Sequence, residues 1–226
     1  LAYTIYYLNI HENFQTKIIG TARNMAKANA KFQNVSKEYF ELIQHDVTEP
    51  LEYEGAIDYI IHAASNASPK FISTDPVGII KANTLGTMNL LELSRKKTIQ
   101  NFLFLSTREI YGKSIKNSLT EQDYGGFDIL SPRACYPESK RMAETLLESY
   151  AVQYKIPYTV ARIAHSYGPG MEVNNDGRIM SDLISNVVNS EDIILKSEGT
   201  AERAFCYLSD ATTALLTVLL NGDSGQ

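Results

Sequence analysis

The stretch QNFLFLST (Gln100–Thr107) holds a continuous apolar run, Phe102–Leu105, with polar residues on both sides of it. A half-exposed strand would alternate, and an amphipathic helix would space its apolar residues three or four apart. A short continuous run instead marks a strand covered on both faces, as in a parallel sheet. Working outward, TKIIG (Thr16–Gly20), YFELIQHDV (Tyr39–Val47), AIDYIIHAA (Ala56–Ala64) and PYTVARIA (Pro157–Ala164) read the same way. Between them lie helical patterns at Met25–Phe32, at Val77–Lys96 with Leu85, Met88 and Leu91 near one face, and at Glu138–Tyr154. Strand and helix alternate without an internal repeat or low-complexity linker. The expected architecture is doubly wound α/β, whose ligands sit at the carboxyl ends of the strands.

The 226 residues, 44% of them hydrophobic, suffice for one sizeable core, or one large and one small lobe. A net charge of −5 and the lack of a Lys/Arg run argue against a nucleic-acid-binding surface. Cys135 and Cys206 stand far apart, which speaks against a disulfide framework or a cysteine metal site. The longest apolar run, Ala214–Leu220, is broken by Thr217 and too short for a bilayer, and the N-terminus lacks a signal-peptide pattern. A cytoplasmic protein without membrane contact or metal is expected. The Asn-x-Ser triplets at Asn34 and Asn66 then read as loop and site residues.

The strand ends carry the chemistry. IIHAASNASP puts His62, Ala63, Ala64 and Ser65 just past a strand, with small side chains where a flat ligand could approach the backbone. FLSTREIYG puts Ser106, Thr107, Arg108 and Glu109 past the next one. ACYPESKRMAETLLESY (Ala134–Tyr150) follows, with Tyr136 and Lys140 four apart and so on one helix face. Chance often produces that spacing. Here it comes with HAAS…SP, N-x-x-GT-x-NLLE (Asn83–Glu92), ST-x-E-x-YG, PRACY-x-E-x-KR-x-AE, AR-x-x-x-x-YGP, NDGR and AERAFCYLSD, in that order over about residues 46 to 213. Together these resemble the extended short-chain dehydrogenase/reductases that act on nucleotide sugars, the NAD-dependent epimerase/dehydratase family. The nearest branch is the UDP-glucuronate decarboxylases, followed by the dTDP-glucose 4,6-dehydratases.

The resemblance implies a Rossmann-like sheet over residues 1–165, part of a small substrate-binding lobe over 166–203, and a return to the first domain over 204–226. It also exposes a gap. Family members open with a strand and a Gly-rich turn, G-x-x-G-x-x-G, whose backbone N–H groups receive the cofactor pyrophosphate. Nothing here matches them, and LAYTIYYLNIHENFQ resembles the helix that follows that turn. The missing strand would lie between those ending at Gly20 and His62, leaving unpaired edges in a core. The chain is therefore expected to be a piece of a longer protein, with a further substrate-binding tail after Gln226.

Roles come from the same resemblance. A bound NAD(P) would oxidise sugar carbon 4. Tyr136 would take the hydroxyl proton, although a free tyrosine has a pKa of about 10 and needs help. Lys140 would favour the phenolate and hold the nicotinamide ribose, and Thr107 would orient the same sugar oxygen. Glu109 stands where decarboxylases and dehydratases keep a glutamate, but Arg108 replaces both the decarboxylases' small residue and the dehydratases' acid. An always-protonated arginine is a poor proton donor, so decarboxylation is favoured over dehydration.

Asp46, with Val47, matches the adenine-binding position, or is a solvent-facing turn residue. Ala22 stands where NAD-specific members carry an acid, and Arg23 follows it as in proteins tolerating a 2′-phosphate; NAD stays ahead of NADP because the cycle re-reduces internally. Ser106 and Asn83 complete the cofactor set, with Asn83 near the catalytic tyrosine. Arg178 and Arg203 would grip the diphosphate. His165 replaces a usual Asn and is either a phosphate contact or a core histidine. The long helices imply a homodimer through a four-helix interface. A nucleotide-sugar epimerase or dehydratase, and an inactive binding domain without the glycine turn, remain alternatives.

Overall fold

The structure is a computed structural model describing residues 1–113, 118–173, 178–194, 198–200 and 202–225. Its central sheet is β3 (Tyr59–His62), β4 (Asn101–Thr107) and β5 (Tyr158–Ile163), all parallel, in the order β3-β4-β5. The register sets Phe104 beside His62 on one side and Val160 on the other. A second parallel pair, β1 (Ile18–Ala22) and β2 (Phe40–Gln44), flanks α2 (Met25–Lys31). A third joins β6 (His165–Tyr167) to β7 (Phe205–Tyr207). Strand–helix–strand crossovers with parallel pairing match the expected α/β architecture.

Among the described residues β1 and β3 do not pair with each other, so each keeps one open edge. α1 (Ala2–His11) is helical as expected and anchored at both ends. The Asn9 amide donates to the Thr16 carbonyl at 2.7 Å and accepts from its N–H at 3.0 Å. Tyr3 stacks on Phe32, which packs in turn on Phe40 of β2.

β4 is the axis of the core. Phe102, Leu103 and Phe104 are fully buried, which is why the run reads as continuous. α4 (Pro76–Lys96) and α5 (Cys135–Tyr154) pack together, and Leu91, Leu93, Ala143 and Leu147 join Ile60, Phe102 and Phe104 in one cluster. Each large apolar side chain there contributes roughly 1.5–3 kcal/mol. α4 starts at Pro76, where a missing N–H costs nothing, and the Asp75 carboxylate accepts from the Gly78 N–H at 3.0 Å.

The motif around Gly86 is explained by packing. A Cβ on Gly86 would lie 2.9 Å from Val47 Cγ1, and Asn89 donates to the Val47 carbonyl at 3.0 Å. The end of β2 is thereby strapped to α4. α3 (Pro69–Thr74), α6 (Ile179–Asn189) and α7 (Leu208–Asn221) complete the fold. α7 lies against β4 and β5, where the Asn101 amide donates to the Leu219 carbonyl at 2.9 Å. Among the described residues no helix is long and apolar enough to cross a membrane.

Candidate active site

β4 ends at Thr107, and the chain turns at once into a 3-10 helix over Arg108–Tyr111. Thr107 caps it, its hydroxyl accepting from the Glu109 N–H at 3.2 Å. Gly112 closes the turn at φ 65°, and a Cβ there would lie 2.7 Å from the Gly126 carbonyl oxygen. Only glycine meets both demands without strain. From α5, Arg141 clamps the turn by donating Nε and Nη2 to the Ile110 carbonyl at 2.8 and 2.5 Å, and Nη2 also to the Gly125 carbonyl. Glu109 is held against the start of α5 as a result.

α5 begins at Cys135, three residues before the start the sequence suggests, because Pro137 falls in the first turn where helices tolerate proline. Tyr136 and Lys140 thus sit one turn apart on the same helix. Tyr136 is 7% exposed, with Ile72 and Ile79 against it. Burial raises its pKa; a Thr107 hydrogen bond opposes the rise, the Glu109 charge adds to it and the Arg133 charge opposes it. Lys140 is 3% exposed, its Nζ donating to the Leu105 carbonyl at 2.7 Å and lying 4.4 Å from the Phe104 ring centroid. Burial lowers its pKa to about 7, against the pull of Glu144. The Glu109 and Arg133 charges act on the phenol in opposite senses, while the Lys140 ammonium bonds the Leu105 carbonyl.

Glu109 does not pair with its neighbour Arg108. Both its oxygens accept from Arg133 Nη2, at 3.0 Å each. Arg108 points toward His165, its Nη2 3.4 Å from Nε2. His165 packs at a tilt against Phe205, and burial followed by the Arg108 charge lowers its pKa. The Arg203 charge also reaches His165, though Arg203 Nη1 donates to the Glu202 carbonyl at 2.7 Å. The fold therefore brings Arg108, Glu109, Arg133 and His165 together, with Arg203 nearby. Arg178 is the exposed N-cap residue of α6. The rest of the NDGR motif, residues 175–177, lies outside the described residues, as does residue 201.

The candidate cofactor residues fall at the ends of β1, β2, β3 and β4 and, with Asn83, on α4. One Asp46 oxygen accepts from the N–H and hydroxyl of Thr48 at 3.0 and 2.9 Å. Those bonds, the backbone one above all, hold Asp46 below the usual carboxylate range. Its other oxygen is 3.7 Å from Arg23. Past β3, Ala63 and Ala64 are exposed and Ser65 Oγ is buried without a hydrogen-bond partner. His62 is fully buried beside Phe104, and burial together with the Lys140 charge lowers its pKa to about 3, so it is neutral. Ser106 donates to Glu144 at 2.5 Å, and Glu144 pairs with Arg162 at 2.8 Å. The fully buried Asn83 amide donates to the Ser139 hydroxyl at 2.9 Å, between Tyr136 and Lys140, while its Oδ1 has no partner. Among the described residues no His, Cys, Asp and Glu side chains gather as a metal site.

Three residues of this network carry no role in the sequence reading: Arg133, Arg141 and Glu144. All three lie inside PRACY-x-E-x-KR-x-AE, so the motif was the available signal. A phenol, a hydroxyl and a paired carboxylate around a buried helix start can take a proton from an alcohol and then handle a second one nearby.

The model of the NAD dependent epimerase/dehydratase family matches residues 7–226. UDP-glucuronic acid decarboxylase 6 of Arabidopsis thaliana is 42% identical over 184 residues, covering 81% of this chain and 52% of the relative. UDP-glucuronic acid decarboxylase 1 of Xenopus tropicalis is 40% identical over 185 residues, covering 82% and 43%. The chain thus spans about half the length of the curated relatives it matches. A dTDP-glucose 4,6-dehydratase of Streptomyces venezuelae, solved with NAD bound, superposes with TM-score 0.79 at 18% identity over 99% of this chain and 69% of that one. The UDP-glucose 4-epimerase of Thermotoga maritima, solved with UDP-glucose, gives 0.77 at 22% over 98% and 70%. With a Rossmann-like arrangement, a buried Tyr136–Lys140 pair and a family match over nearly its whole length, this chain belongs to the NAD dependent epimerase/dehydratase family.

Proposed function

We propose that the intact protein carrying this chain oxidises a nucleotide sugar at carbon 4 and decarboxylates a UDP-hexuronate. One observation carries the reading: Thr107, Glu109 and Tyr136 are gathered around the start of α5, with Lys140 buried one turn on. The relatives at about 40% identity, named UDP-glucuronic acid decarboxylases, favour the uronate.

The residues present fit a dinucleotide. Asp46 and Val47 would hold the adenine end, and Ala63, Ala64 and the unpartnered Ser65 hydroxyl would line the middle. Lys140, Ser106, His62 and Asn83 would surround the nicotinamide end. Arg23 leans toward Asp46, which supports NAD over NADP. When bound, NAD supplies a hydride acceptor for carbon 4 and later a donor.

Tyr136 takes the proton of the carbon-4 hydroxyl, and the Thr107 hydroxyl aligns that oxygen. The ketone then makes the carbon-5 carboxylate a β-keto acid, which loses carbon dioxide readily. Glu109 steers the proton at carbon 5. Arg108 and His165, with Arg178 and Arg203, bind the anionic parts of the substrate. Elimination of water is disfavoured because Arg108 cannot donate the proton it needs.

Residues 1–165 form the dinucleotide-binding domain in this reading, 166–203 part of the substrate lobe, and 204–226 a return segment, supported by the packing of α7 on β4 and β5. The protein works as a homodimer, supported by the exposed Val77, Ile80, Leu85 and Met88 of α4 and Met142 and Val152 of α5. The two unpaired thiols, Cys135 and Cys206, support a reducing cytoplasmic location.

Glu109→Gln in the intact protein tests the reading. Addition of UDP-glucuronate should still reduce the cofactor, while carbon dioxide release slows by about 10²–10⁴-fold, the usual worth of a placed acid-base group. Release at the parent rate would remove Glu109 from the chemistry.

A further inference from the structure

Arg133 has no role in the chemistry above, yet it stands between its two main groups. Its guanidinium bonds both oxygens of Glu109 at 3.0 Å, and it sits in the 3-10 turn Pro132–Ala134 that runs straight into α5, three residues before Tyr136. The Arg133 side chain is 56% exposed, and exposed ion pairs add little to stability. Stability therefore does not account for it. Lys140, the other cation close to Tyr136, is turned to the Leu105 carbonyl and the Phe104 ring.

We propose that Arg133 is a positioning residue for proton removal: by holding Glu109 in a charge-neutralising pair beside Tyr136, it lets the phenol ionise next to a carboxylate. This rests on the reading of Tyr136 as the proton acceptor. An unpaired Glu109 would repel a phenolate, whereas the pair presents a weak dipole. The Glu109 charge does raise the Tyr136 pKa and the Arg133 charge does lower it. A single guanidinium nitrogen, Nη2, reaches both carboxylate oxygens, so the positive charge faces the whole carboxylate.

The other groups around Tyr136 leave this pair in control. α3 and α4 meet the ring through Ile72 and Ile79, and their charged residues Lys70, Asp75 and Lys81 are exposed. On α5, Glu138 pairs with Arg141 at 3.5 Å and Cys135 is a thiol raised by burial. Arg108 faces His165, and His62 on β3 is neutral.

The test places a difluorotyrosine at position 136 of the intact protein, its lower intrinsic pKa bringing the midpoint into range, and follows its titration by fluorine NMR without substrate. Arg133→Gln should raise the midpoint by a few tenths to about one pH unit, since it removes a solvent-screened charge that favours the phenolate and leaves Glu109 unpaired. Arg133→Lys should recover part of that shift, and Arg133→Gln with Glu109→Gln should return it to the parent value. Glu109→Gln alone should move the midpoint down, a check of opposite sign that needs no Arg133 variant to fold. An unmoved midpoint in Arg133→Gln or in Glu109→Gln overturns the proposal. The two possible failures separate. No oxidation of any nucleotide sugar by the parent refutes the functional reading, whereas oxidation with an Arg133→Gln pH–rate profile superimposable on the parent's refutes this proposal alone.

Discussion

Replacing Lys140 with methionine should make the nucleotide-free protein more stable while abolishing its turnover. Burial displaces the Lys140 pKa from 10.5 to about 7. At about 1.4 kcal/mol per unit, that displacement corresponds to a cost of about 5 kcal/mol for carrying the ammonium into the fold. The sign follows from linkage. The native state binds this proton more weakly than the unfolded state, so the penalty is full below pH 7 and fades as pH rises toward 10.5. At pH 9 about 2 kcal/mol of it remains. Methionine has similar length and fits irregular cores, but it forfeits the bond to the Leu105 carbonyl and the Nζ contact with the Phe104 ring, together worth about 2 kcal/mol. Urea midpoints should therefore place Lys140→Met about 3 kcal/mol above the parent at pH 6.5 and roughly level with it at pH 9. A variant less stable than the parent at pH 6.5, or a difference that does not shrink with pH, would refute the reasoning. Stability spent on a buried amine that the core does not need is what a functional lysine entails.

Tyr136→Phe keeps the packed ring against Ile72 and Ile79 and removes the proton acceptor; turnover should fall by about 10²–10⁴-fold while calorimetry still detects dinucleotide binding. Gly86→Ala should lower stability by about 1 kcal/mol, because the contact 2.9 Å from Val47 outweighs the usual helical gain of alanine, and a more stable variant would show that α4 and β2 have room to part. Leu85→Glu with Met142→Glu puts charges on the exposed apolar faces of α4 and α5 and should turn a dimer into a monomer in light scattering. Unchanged mass would move the interface elsewhere.

The strands were legible where burial is two-sided. Phe102–Phe104 read as a strand because each residue is covered, whichever face it points to. Edges were less clear. β1 runs over Ile18–Ala22 and not Thr16–Gly20, because pairing with Phe40–Gln44 sets its register. β3 is four residues long, shorter than its apolar surroundings suggest. The sequence suggests that α5 starts at Glu138, yet it starts at Cys135, because Pro137, which would block a helix interior, suits a first turn. α3 is too short to carry a clear period, whereas α6 and α7 place their apolar residues on one side as clearly as α4 does and were open to the same reading. Thr107 could be named from a strand end, and Tyr136 from its helical spacing and motif. Partners could not. Glu109 finds Arg133, 24 positions on, and Ser106 finds Glu144, 38 positions on, because the turn after β4 folds back over α5, a pairing no local pattern encodes.

Incubation of the intact protein with UDP-glucuronate and NAD, followed by mass analysis of the sugar nucleotide, tests the central claim most directly. The account predicts a UDP-pentose, with one carbon dioxide released per product formed and no net consumption of NAD. A product of unchanged mass, a product lighter by one water, or an unaltered substrate would contradict it.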